Sequence, residues 1–389
     1  MIEKYENDYD DLTLREIDPE ELSGSLSPFT FICITFILIL MGLVMAYSAS
    51  YDAAIRNGMK HYHYLLEMVT YGVLGIVAGL LFFFASRKRL ETISRALFPI
   101  SLVFLVVTLV HRIIGNTAAY DPTLPVVRIS PVIEFTTVLF LASVLPAVRK
   151  RDRRGWLYVA ITVSFLLIIS SLIYLGYYSD ALLYAIILMI LASAGGIEKK
   201  YVFTVSIFMA TLVVFRFLAS PTHMEMIFER MMPRVDGPAA SQVAYDSVMA
   251  IAEGGVRGKG IGNGYYKLGV IPGIHTDYIF ANLAEECGIL GIIIVSLFFV
   301  LFMFLGLRAA SRAKLIEDDF VRIASLGFTY LIIFKVLLSM AVTSGILPSN
   351  GIGLPFFSSN GPENFLTMLE ASLLYRFIHM TGRGYERLR

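Results

Sequence analysis

The residue types best suited to chemistry are concentrated in one segment, Glu253–Gly291. The segment begins with a glycine-rich basic loop and continues through a His-Thr-Asp triplet that ends at Asp277. It then contains the adjacent Glu285 and Glu286 and enters an apolar stretch. Because the chain is 57% hydrophobic, we expect this segment to lie where water meets a membrane. Ionisable groups at such positions are costly and usually functional, so the segment is the first candidate for a functional site.

Asp277 is the strongest candidate for a catalytic side chain. Proline suits the first turn of a helix, and a helix starting at Pro272 would place a stripe of small residues beyond Asp277. The stripe consists of Ala281, Ala284, Gly288 and Gly291. Such residues also permit close packing against a neighbouring helix, and this alternative stays open. An ionised carboxylate near the interface can accept a proton at neutral pH, so we predict that Asp277 is a general base facing a cavity with room for a lipid chain.

The loop Gly254–Gly264 has the composition of an anion-binding loop. Its glycines allow backbone amides to approach a ligand, and Arg257, Lys259 and the later Lys267 supply positive charge. No Ser or Thr follows Lys259, so the loop lacks the pattern of a nucleotide-binding P-loop. We interpret the loop as a site for the diphosphate of a lipid carrier. A flexible, turn-rich loop without a ligand is the alternative.

Glu285 and Glu286 lie about two helical turns beyond Asp277. Carboxylates at this depth need a partner or water, so a structural pair with Lys or Arg and a direct role in the site are both open. A metal site is a further alternative, although a lone histidine, His275, beside scattered carboxylates is a weak pattern for a divalent ion. No cofactor is assigned, and a requirement for Mg²⁺ or Mn²⁺ stays unknown.

Four further charges fall inside apolar stretches: Glu134, Arg216, Lys335 and Glu370. Glu134 lies near the end of its stretch, where a charged side chain can reach the interface. Lys335 lies deeper and needs a partner or water, and the sequence does not identify that partner.

Long apolar blocks must position all these residues. The 389 residues have a mean hydropathy of +0.70 and are 16% charged, which is outside the range of soluble proteins. A requirement of roughly 17–25 mainly apolar residues per span gives ten candidate transmembrane helices. They lie near residues 29–49, 64–85, 95–114, 131–148, 156–175, 181–195, 201–219, 284–308, 321–345 and 363–380. The sequence therefore predicts an all-α polytopic membrane protein.

The basic clusters set the predicted orientation, because Lys and Arg stay mainly on the cytoplasmic side. The clusters lie at residues 87–89, 149–154, 199–200, 308–314 and 383–389, all on one side if the N-terminus is cytoplasmic. Both termini are then cytoplasmic. Residues 1–27 form a disordered acidic tail, and residues 28–389 form the membrane domain. Residues 220–283, between the seventh and eighth spans, form a large extracytoplasmic loop that is too long for a simple connection.

Several motifs resemble those of the SEDS family (the shape, elongation, division and sporulation proteins, which include FtsW, RodA and SpoVE). GLVMAYSAS at Gly42–Ser50 is similar to the end of that family's first span. GKGIGNGYYKLGVIPGIHTDYIFANLAEECGILG at Gly258–Gly291 is similar to its most specific motif nearly position by position. GILPSNGIGLPFFSSNG at Gly345–Gly361 is similar to the loop before its last span. The resemblance covers roughly residues 35–365.

The resemblance implies a ten-span enzyme of the bacterial inner membrane. Such an enzyme polymerises lipid II into peptidoglycan glycan strands by glycosyl transfer, with release of polyprenyl diphosphate. It implies that Asp277 is the catalytic carboxylate and that Glu134, His275, Glu285 and Glu286 belong to the substrate site beside the three cations of the loop. The implied partners are a class B penicillin-binding protein, the lipid-linked glycan strand and other division or elongation proteins, without nucleic acid. The acidic tail favours an FtsW-like role in division over elongation or sporulation.

Departures from the family pattern support two other functions. The PSExxK element of the family retains its glutamate as Glu134, but Thr137 occupies the position of the lysine. The nearest match to the QPDxGT element is Tyr178–Ala181. A site without that lysine would bind anionic phosphates less tightly, so the first alternative is a non-catalytic scaffold that activates a penicillin-binding protein. The second is a transporter of lipid-linked precursors, for which buried charges are also typical.

Overall fold

All regular secondary structure in the described part of the chain is helical. The computed structural model describes residues 28–115, 129–149, 168–169, 178–196, 211, 239–347 and 351–386. Within these ranges the helices with defined bounds are α1 (Pro28–Arg56), α2 (His63–Phe84), α3 (Arg87–Gly115), α4 (Ile129–Arg149), α5 (Tyr178–Ala194), α6 (Ala239–Gly254), α7 (Ile279–Leu315), α8 (Asp319–Thr343) and α9 (Gly361–Glu386). The predicted acidic tail lies outside the described residues, as do most of the spans predicted near 156–175 and 201–219.

Six of the described helices are long and apolar enough to cross a membrane, namely α1, α2, α3, α4, α7 and α8. The apolar part of α5, Asp180–Ala194, is shorter. The outward faces of α1 and α2 carry large exposed apolar side chains such as Phe36, Leu40 and Leu81, as a lipid environment requires. The chain is therefore a polytopic membrane protein whose described part is all-helical. The count of ten spans and the sides of the two termini stay predictions.

A stripe of glycines on α2 packs against α9. Gly72, Gly75 and Gly79 recur at spacings of three and four residues and are buried. A side chain at Gly75 would meet the backbone of Phe365, and one at Gly79 would meet Ser372. The absence of side chains on this stripe lets the two helix backbones approach closely, as in many pairs of membrane helices.

Several helix ends meet at one end of the bundle, around the segment Glu253–Gly291. Ser247 on α6 donates a hydrogen bond to the carbonyl of Thr343 at the end of α8, with an O–O distance of 2.7 Å. Arg56, the last residue of α1, donates a hydrogen bond to the carbonyl of Lys267 at 3.4 Å. Part of the predicted large loop, from residue 239 onward, is thus folded and packed against the helices.

The beginning of α7 differs from the prediction. The helix begins at Ile279, and Pro272 lies in an exposed position within a turn. Gly273 adopts a positive φ of 69°, which is incompatible with a helix continuing from the proline. Within α7, Gly288 has φ 65° and ψ −165°, so the helix is interrupted there. The predicted stripe beyond Asp277 therefore does not form one helical face, and that prediction was wrong.

Candidate active site

The glycine loop, Gly254–Gly264, completes the hydrogen bonding of α7 at its interruption. The backbone amides of Lys259 and Gly260 donate to the carbonyls of Glu285 and Glu286, at 2.9 and 3.0 Å. In the opposite direction, the amides of Ile289 and Leu290 donate to the carbonyls of Gly255 and Val256, at 2.9 and 3.2 Å. Backbone groups that lose their helical partners at Gly288 are thus satisfied by the loop.

Gly288 and Gly258 are required by this close approach. Both residues have positive φ values, 65° and 75°, which residues other than glycine rarely adopt. A Cβ atom at Gly288 would collide with the backbone of Gly258 and Val256, and one at Gly258 would collide with the backbone of Glu286. Two of the glycines, Gly258 and Gly288, are therefore explained by the close contact between the loop and α7, without reference to a bound anion.

Glu285 binds the backbone of the residues that follow the loop, Tyr265 and Tyr266. Its buried carboxylate accepts hydrogen bonds from the backbone amides of Tyr265 and Tyr266, at 2.6 and 3.2 Å. It also accepts one from the Lys259 ammonium at 2.8 Å. Lys259 reaches outward to Glu253 as well, at 2.6 Å. Of the alternatives left open for Glu285, the structural pair with a lysine is the one observed.

Glu286 forms a second, more buried cluster. Its carboxylate accepts hydrogen bonds from the Lys267 ammonium at 2.7 Å, from the Ser48 hydroxyl at 2.7 Å and from the amide of Gly262 at 3.0 Å. The Lys267 ammonium also donates to the Ser48 oxygen at 2.8 Å. The side chains of Lys267 and Glu286 are 8% and 0% exposed. This cluster joins α1, the glycine loop and α7, and Ser48 was not identified as a site residue from the sequence.

The charges at the rim of the loop are stabilised by one another. Hydrogen bonds from Lys259 and from the Tyr266 hydroxyl hold the pKa of Glu253 below its usual value, against a smaller effect of burial. Burial opposes the charge of Lys259, but its hydrogen bonds to Glu253 and Glu285 raise the pKa of its ammonium above the usual value. Arg257 is exposed on the loop. Of the three predicted diphosphate-binding cations, Arg257 is thus the exposed one, and the two lysines are held in ion pairs.

Asp277 lies in a tight turn directly before α7 and is partly buried. Its backbone amide and that of Thr276 both donate to the carbonyl of Gly273, at 3.1 and 3.0 Å. Ser359, from the segment before α9, donates through its amide and its hydroxyl to the carbonyl of His275, at 3.0 and 2.7 Å. The turn that carries Asp277 is therefore fixed from within and also by a distant part of the chain.

His275 contributes a neutral ring beside Asp277. Its ring contacts that of Tyr64 on α2, with centroids 4.5 Å apart. Its Nδ1 atom is buried and has no hydrogen-bond partner among the described residues. Burial lowers the pKa of His275 to about 4, so the imidazole is uncharged at neutral pH. Nδ1 is thus available to a polar group that is not part of the described chain.

Glu134 lies in a separate cluster within the helices. Its carboxylate is 3.3 Å from the ammonium of Lys335 on α8, which is 3.7 Å from the carboxylate of Glu370 on α9. Nearby, Ser130 donates a short hydrogen bond to Asp180 on α5. The sequence indicated that Lys335 needs a partner, and the structure provides two. A lysine and two glutamates within three apolar stretches are the signal that could have suggested this contact.

The described residues contain no group of three or more His, Cys, Asp or Glu side chains arranged to hold a metal ion. The two glutamates of the segment are instead hydrogen-bonded to lysines and backbone amides, as described above. Glu285 and Glu286 are therefore not arranged to hold a divalent ion, and no step of the chemistry is assigned to one.

Comparison with known proteins places the chain in a family. A family profile described as a cell cycle protein, FtsW/RodA/SpoVE, matches residues 29–382. The chain belongs to this family. A probable peptidoglycan glycosyltransferase FtsW from Thiomicrospira cyclica is 29% identical over 384 residues, 96% of either chain. A relative of the same name from Coxiella burnetii is 27% identical over 372 residues, which are 92% of this chain and 98% of the relative.

Solved structures have the same fold. A chain from a peptidoglycan synthase complex that coordinates polymerization and crosslinking superposes with a TM-score of 0.70 at 22% identity. It covers 90% of this chain and 97% of that one. The rod shape determining protein RodA of Thermus thermophilus superposes with a TM-score of 0.63 at 19% identity, covering 90% of this chain and 96% of RodA. The family fold that the motifs of the glycine loop and α7 imply is thereby confirmed.

Proposed function

We propose that this chain is a peptidoglycan glycosyltransferase that polymerises lipid II into glycan strands. The activity class is supported by the relatives, which are named probable peptidoglycan glycosyltransferases and match this chain over nearly their whole length. The observation that carries the proposal is the turn of Asp277. The turn that carries this partly buried carboxylate is fixed by backbone hydrogen bonds to the carbonyl of Gly273 and by the hydrogen bonds of Ser359 to the carbonyl of His275. Such a carboxylate suits a general base, which must be held within reach of one hydroxyl.

In the proposed reaction, Asp277 accepts the proton of a sugar hydroxyl on the acceptor. The hydroxyl oxygen attacks the anomeric carbon of the donor, and a new glycosidic bond forms there. The bond from that carbon to the diphosphate oxygen breaks, and the polyprenyl diphosphate leaves with the electron pair. The neutral ring of His275 next to the base does not compete for the proton, because the pKa of His275 is lowered to about 4.

The departing diphosphate requires positive charge, and the loop cations differ in their freedom to supply it. Arg257 is exposed, while the Lys259 side chain is 30% exposed and paired with two carboxylates. Lys267 is buried with Glu286. We infer that Arg257 contacts the diphosphate first and that Lys259 contributes from its ion pair. Lys267, Glu285 and Glu286 serve the substrate site by holding the loop in place.

A lipid-linked substrate fits the surface around the loop. Four large side chains on or next to it are more than half exposed: Val256, Ile261, Tyr265 and Leu268. Exposed apolar groups of this size on a membrane protein favour contact with lipid chains. An exposed arginine, Arg257, lies on the same loop. The surface can therefore contact both parts of a polyprenyl diphosphate, because the apolar side chains suit the lipid chain and the arginine suits the phosphates.

The proposed setting is the bacterial inner membrane. Both termini would lie in the cytoplasm, and the Asp277 end of a ten-helix bundle would lie at the outer surface. A class B penicillin-binding protein is the proposed partner, in keeping with the structural similarity to a peptidoglycan synthase complex. Division is the proposed process, since the relatives carry the FtsW name. On this proposal, the membrane domain spans residues 28–389, residues 1–27 are a cytoplasmic tail, and residues 220–283 form the outer loop.

The test is polymerisation of lipid II by the purified protein, reconstituted with a class B penicillin-binding protein in detergent or vesicles. Glycan chains resolved by gel electrophoresis are the expected product. Polymer formation that does not depend on Asp277 would refute the assignment of the base. Growth support by Asp277→Ala in cells that require the gene would indicate the scaffold instead. Movement of lipid II across vesicles without polymer would indicate the transporter.

A further inference from the structure

Three charged side chains from three helices meet inside the bundle. The Lys335 ammonium on α8 is 3.3 Å from Glu134 on α4 and 3.7 Å from Glu370 on α9, and the side chains are 0–2% exposed. Measured along their helices from the Asp277 end of the bundle, they lie about 8–14 Å deep at 1.5 Å per residue. The three residues therefore lie at a similar depth, within the membrane-embedded half nearest the site.

Lys335 is the group that holds the two carboxylates. None of their oxygen atoms has a well-formed hydrogen bond to another described residue. Two ionised carboxylates in such surroundings repel each other, and each would be strongly disfavoured without a cation. The ammonium lies between them and interacts with both. The orientation of the Glu134 carboxylate therefore depends on a lysine from another helix.

Helix α4 does not supply a cation of its own at this place. Position 137 is three residues after Glu134, so the two positions are neighbours on one face of the helix. A lysine there could pair with Glu134 within α4. Position 137 instead holds Thr137, which is buried and hydrogen-bonded to the Tyr184 hydroxyl on α5 at 3.0 Å.

We propose that Lys335 is a positioning residue for Glu134, and that it supplies from α8 the cation that position 137 of α4 lacks. Glu370 completes the arrangement by anchoring the ammonium from α9. This inference rests on the proposed function and on the place in the substrate site that the family resemblance implies for Glu134. The replacement of the family's lysine by Thr137 then removes no positive charge from the site, because Lys335 of α8 supplies that charge.

The experiment moves the lysine back to α4. Lys335→Thr with Glu370→Gln removes the cation and its anchor. Adding Thr137→Lys to that pair restores a cation beside Glu134 and exchanges Thr and Lys between positions 137 and 335. The two variants differ only at position 137, so each is the control for the other. Thermal unfolding in detergent and the kcat and KM of lipid II polymerisation are measured for both and for the wild type.

The variant without the cation should lose about tenfold in kcat, which corresponds to about 1.4 kcal/mol in the barrier, with a smaller change in KM. Thr137→Lys should recover most of that loss. Recovery of the melting temperature without recovery of kcat would overturn the inference, as would a variant without the cation that polymerises at the wild-type rate. A wild-type protein that makes no polymer at all would instead refute the proposed function, and the positioning role with it.

A third variant covers the case in which the relocated lysine prevents folding. Glu134→Gln, Lys335→Met and Glu370→Gln together remove every charge of the cluster, and neutral replacements of buried ion pairs usually preserve folding. This variant should fold with an unchanged melting temperature and a kcat reduced at least as much as that of the cation-free variant. A folded neutral variant with the wild-type kcat would show that the cluster only stabilises the fold, and the inference would be wrong.

Discussion

Substitution of Lys267 by methionine should destabilise the protein more than substitution of either cation of the glycine loop, Arg257 or Lys259. Its ammonium is 2.7 Å from Glu286 and 2.8 Å from Ser48, and the paired side chains are 8% and 0% exposed. Removing one member of a buried ion pair costs about 3–5 kcal/mol, because the remaining charge stays buried. Glu286 would keep its hydrogen bonds from Ser48 and the amide of Gly262, so the lower limit of about 3 kcal/mol is expected.

The measurement is equilibrium unfolding in mixed detergent micelles, followed by circular dichroism. Combining Lys267→Met with Glu286→Gln removes both charges and should return the protein to within about 1 kcal/mol of the wild type, a recovery of about 2 kcal/mol relative to Lys267→Met alone. Glu253→Gln is the matched surface control. Its pair with Lys259 is 40% and 30% exposed, and exposed pairs contribute about 0–1 kcal/mol.

The reasoning fails if Lys267→Met costs less than the surface control. It also fails if the double substitution is as destabilising as the single one, because the loss would then come from packing and not from an unpaired Glu286 carboxylate. A loss of polymerisation that parallels the loss of stability is expected, since the same cluster joins α1, the glycine loop and α7.

Three further outcomes are expected. Burial lowers the pKa of His275 to about 4, so the unfolded state, with a pKa of about 6.5, binds the proton more readily, and stability should fall as the pH drops from about 6.5 to about 4. His275→Phe keeps the ring contact with Tyr64 and should flatten the melting temperature over that range; an unchanged profile would contradict the buried neutral ring. Ser359→Ala should cost about 1 kcal/mol in unfolding free energy, because one hydrogen bond to the carbonyl of His275 is lost and the amide bond remains; a loss above about 3 kcal/mol would show a larger role. Gly288→Ala should reduce the yield of folded protein in size-exclusion chromatography, since its Cβ would collide with the backbone of Gly258, and a wild-type yield would argue against the contact between loop and helix.

The spatial proximity of the candidate site residues was predictable from the sequence because they lie close together in the chain. The charged residues of Glu253–Gly291 all lie within one short segment of the chain. In the structure, Lys259 and Lys267 of this segment pair with Glu285 and Glu286 of α7. Long apolar blocks likewise predicted the helical membrane fold. Each described helix with defined bounds overlaps a predicted span, except α6, which lies within the predicted large loop.

The partners of the charged residues were not predictable because they come from distant parts of the chain. Ser48 and Glu286 are 238 residues apart in sequence, and Lys335 meets Glu134 from another helix. Periodicity indicates which residues share a face of one helix and says nothing about which helices are neighbours. Charge alone could predict that these groups need partners, but not their identity.

The start of α7 was predicted wrongly, at Pro272 in place of Ile279, for a reason that is visible in the neighbouring sequence. Proline at position 272 fits the beginning of a helix, but Gly273 follows directly and takes a positive φ. The glycine at position 288 was interpreted as part of a small helical stripe, whereas it allows the glycine loop to approach the helix backbone. Both differences have the same physical reason, because a glycine with a positive φ interrupts a helix although its small size also fits a helical stripe.

The most direct test of the central claim is the rate of lipid II polymerisation by Asp277→Asn compared with the wild type. Asparagine keeps the size and polarity of the side chain but cannot accept the proton, so a decrease of about 100-fold or more is expected, with an unchanged melting temperature. Asp319→Asn is the control, because Asp319 lies in the first turn of α8 at the opposite end of the bundle and should leave the rate unchanged. A folded Asp277→Asn protein that polymerises lipid II at the wild-type rate would contradict the account.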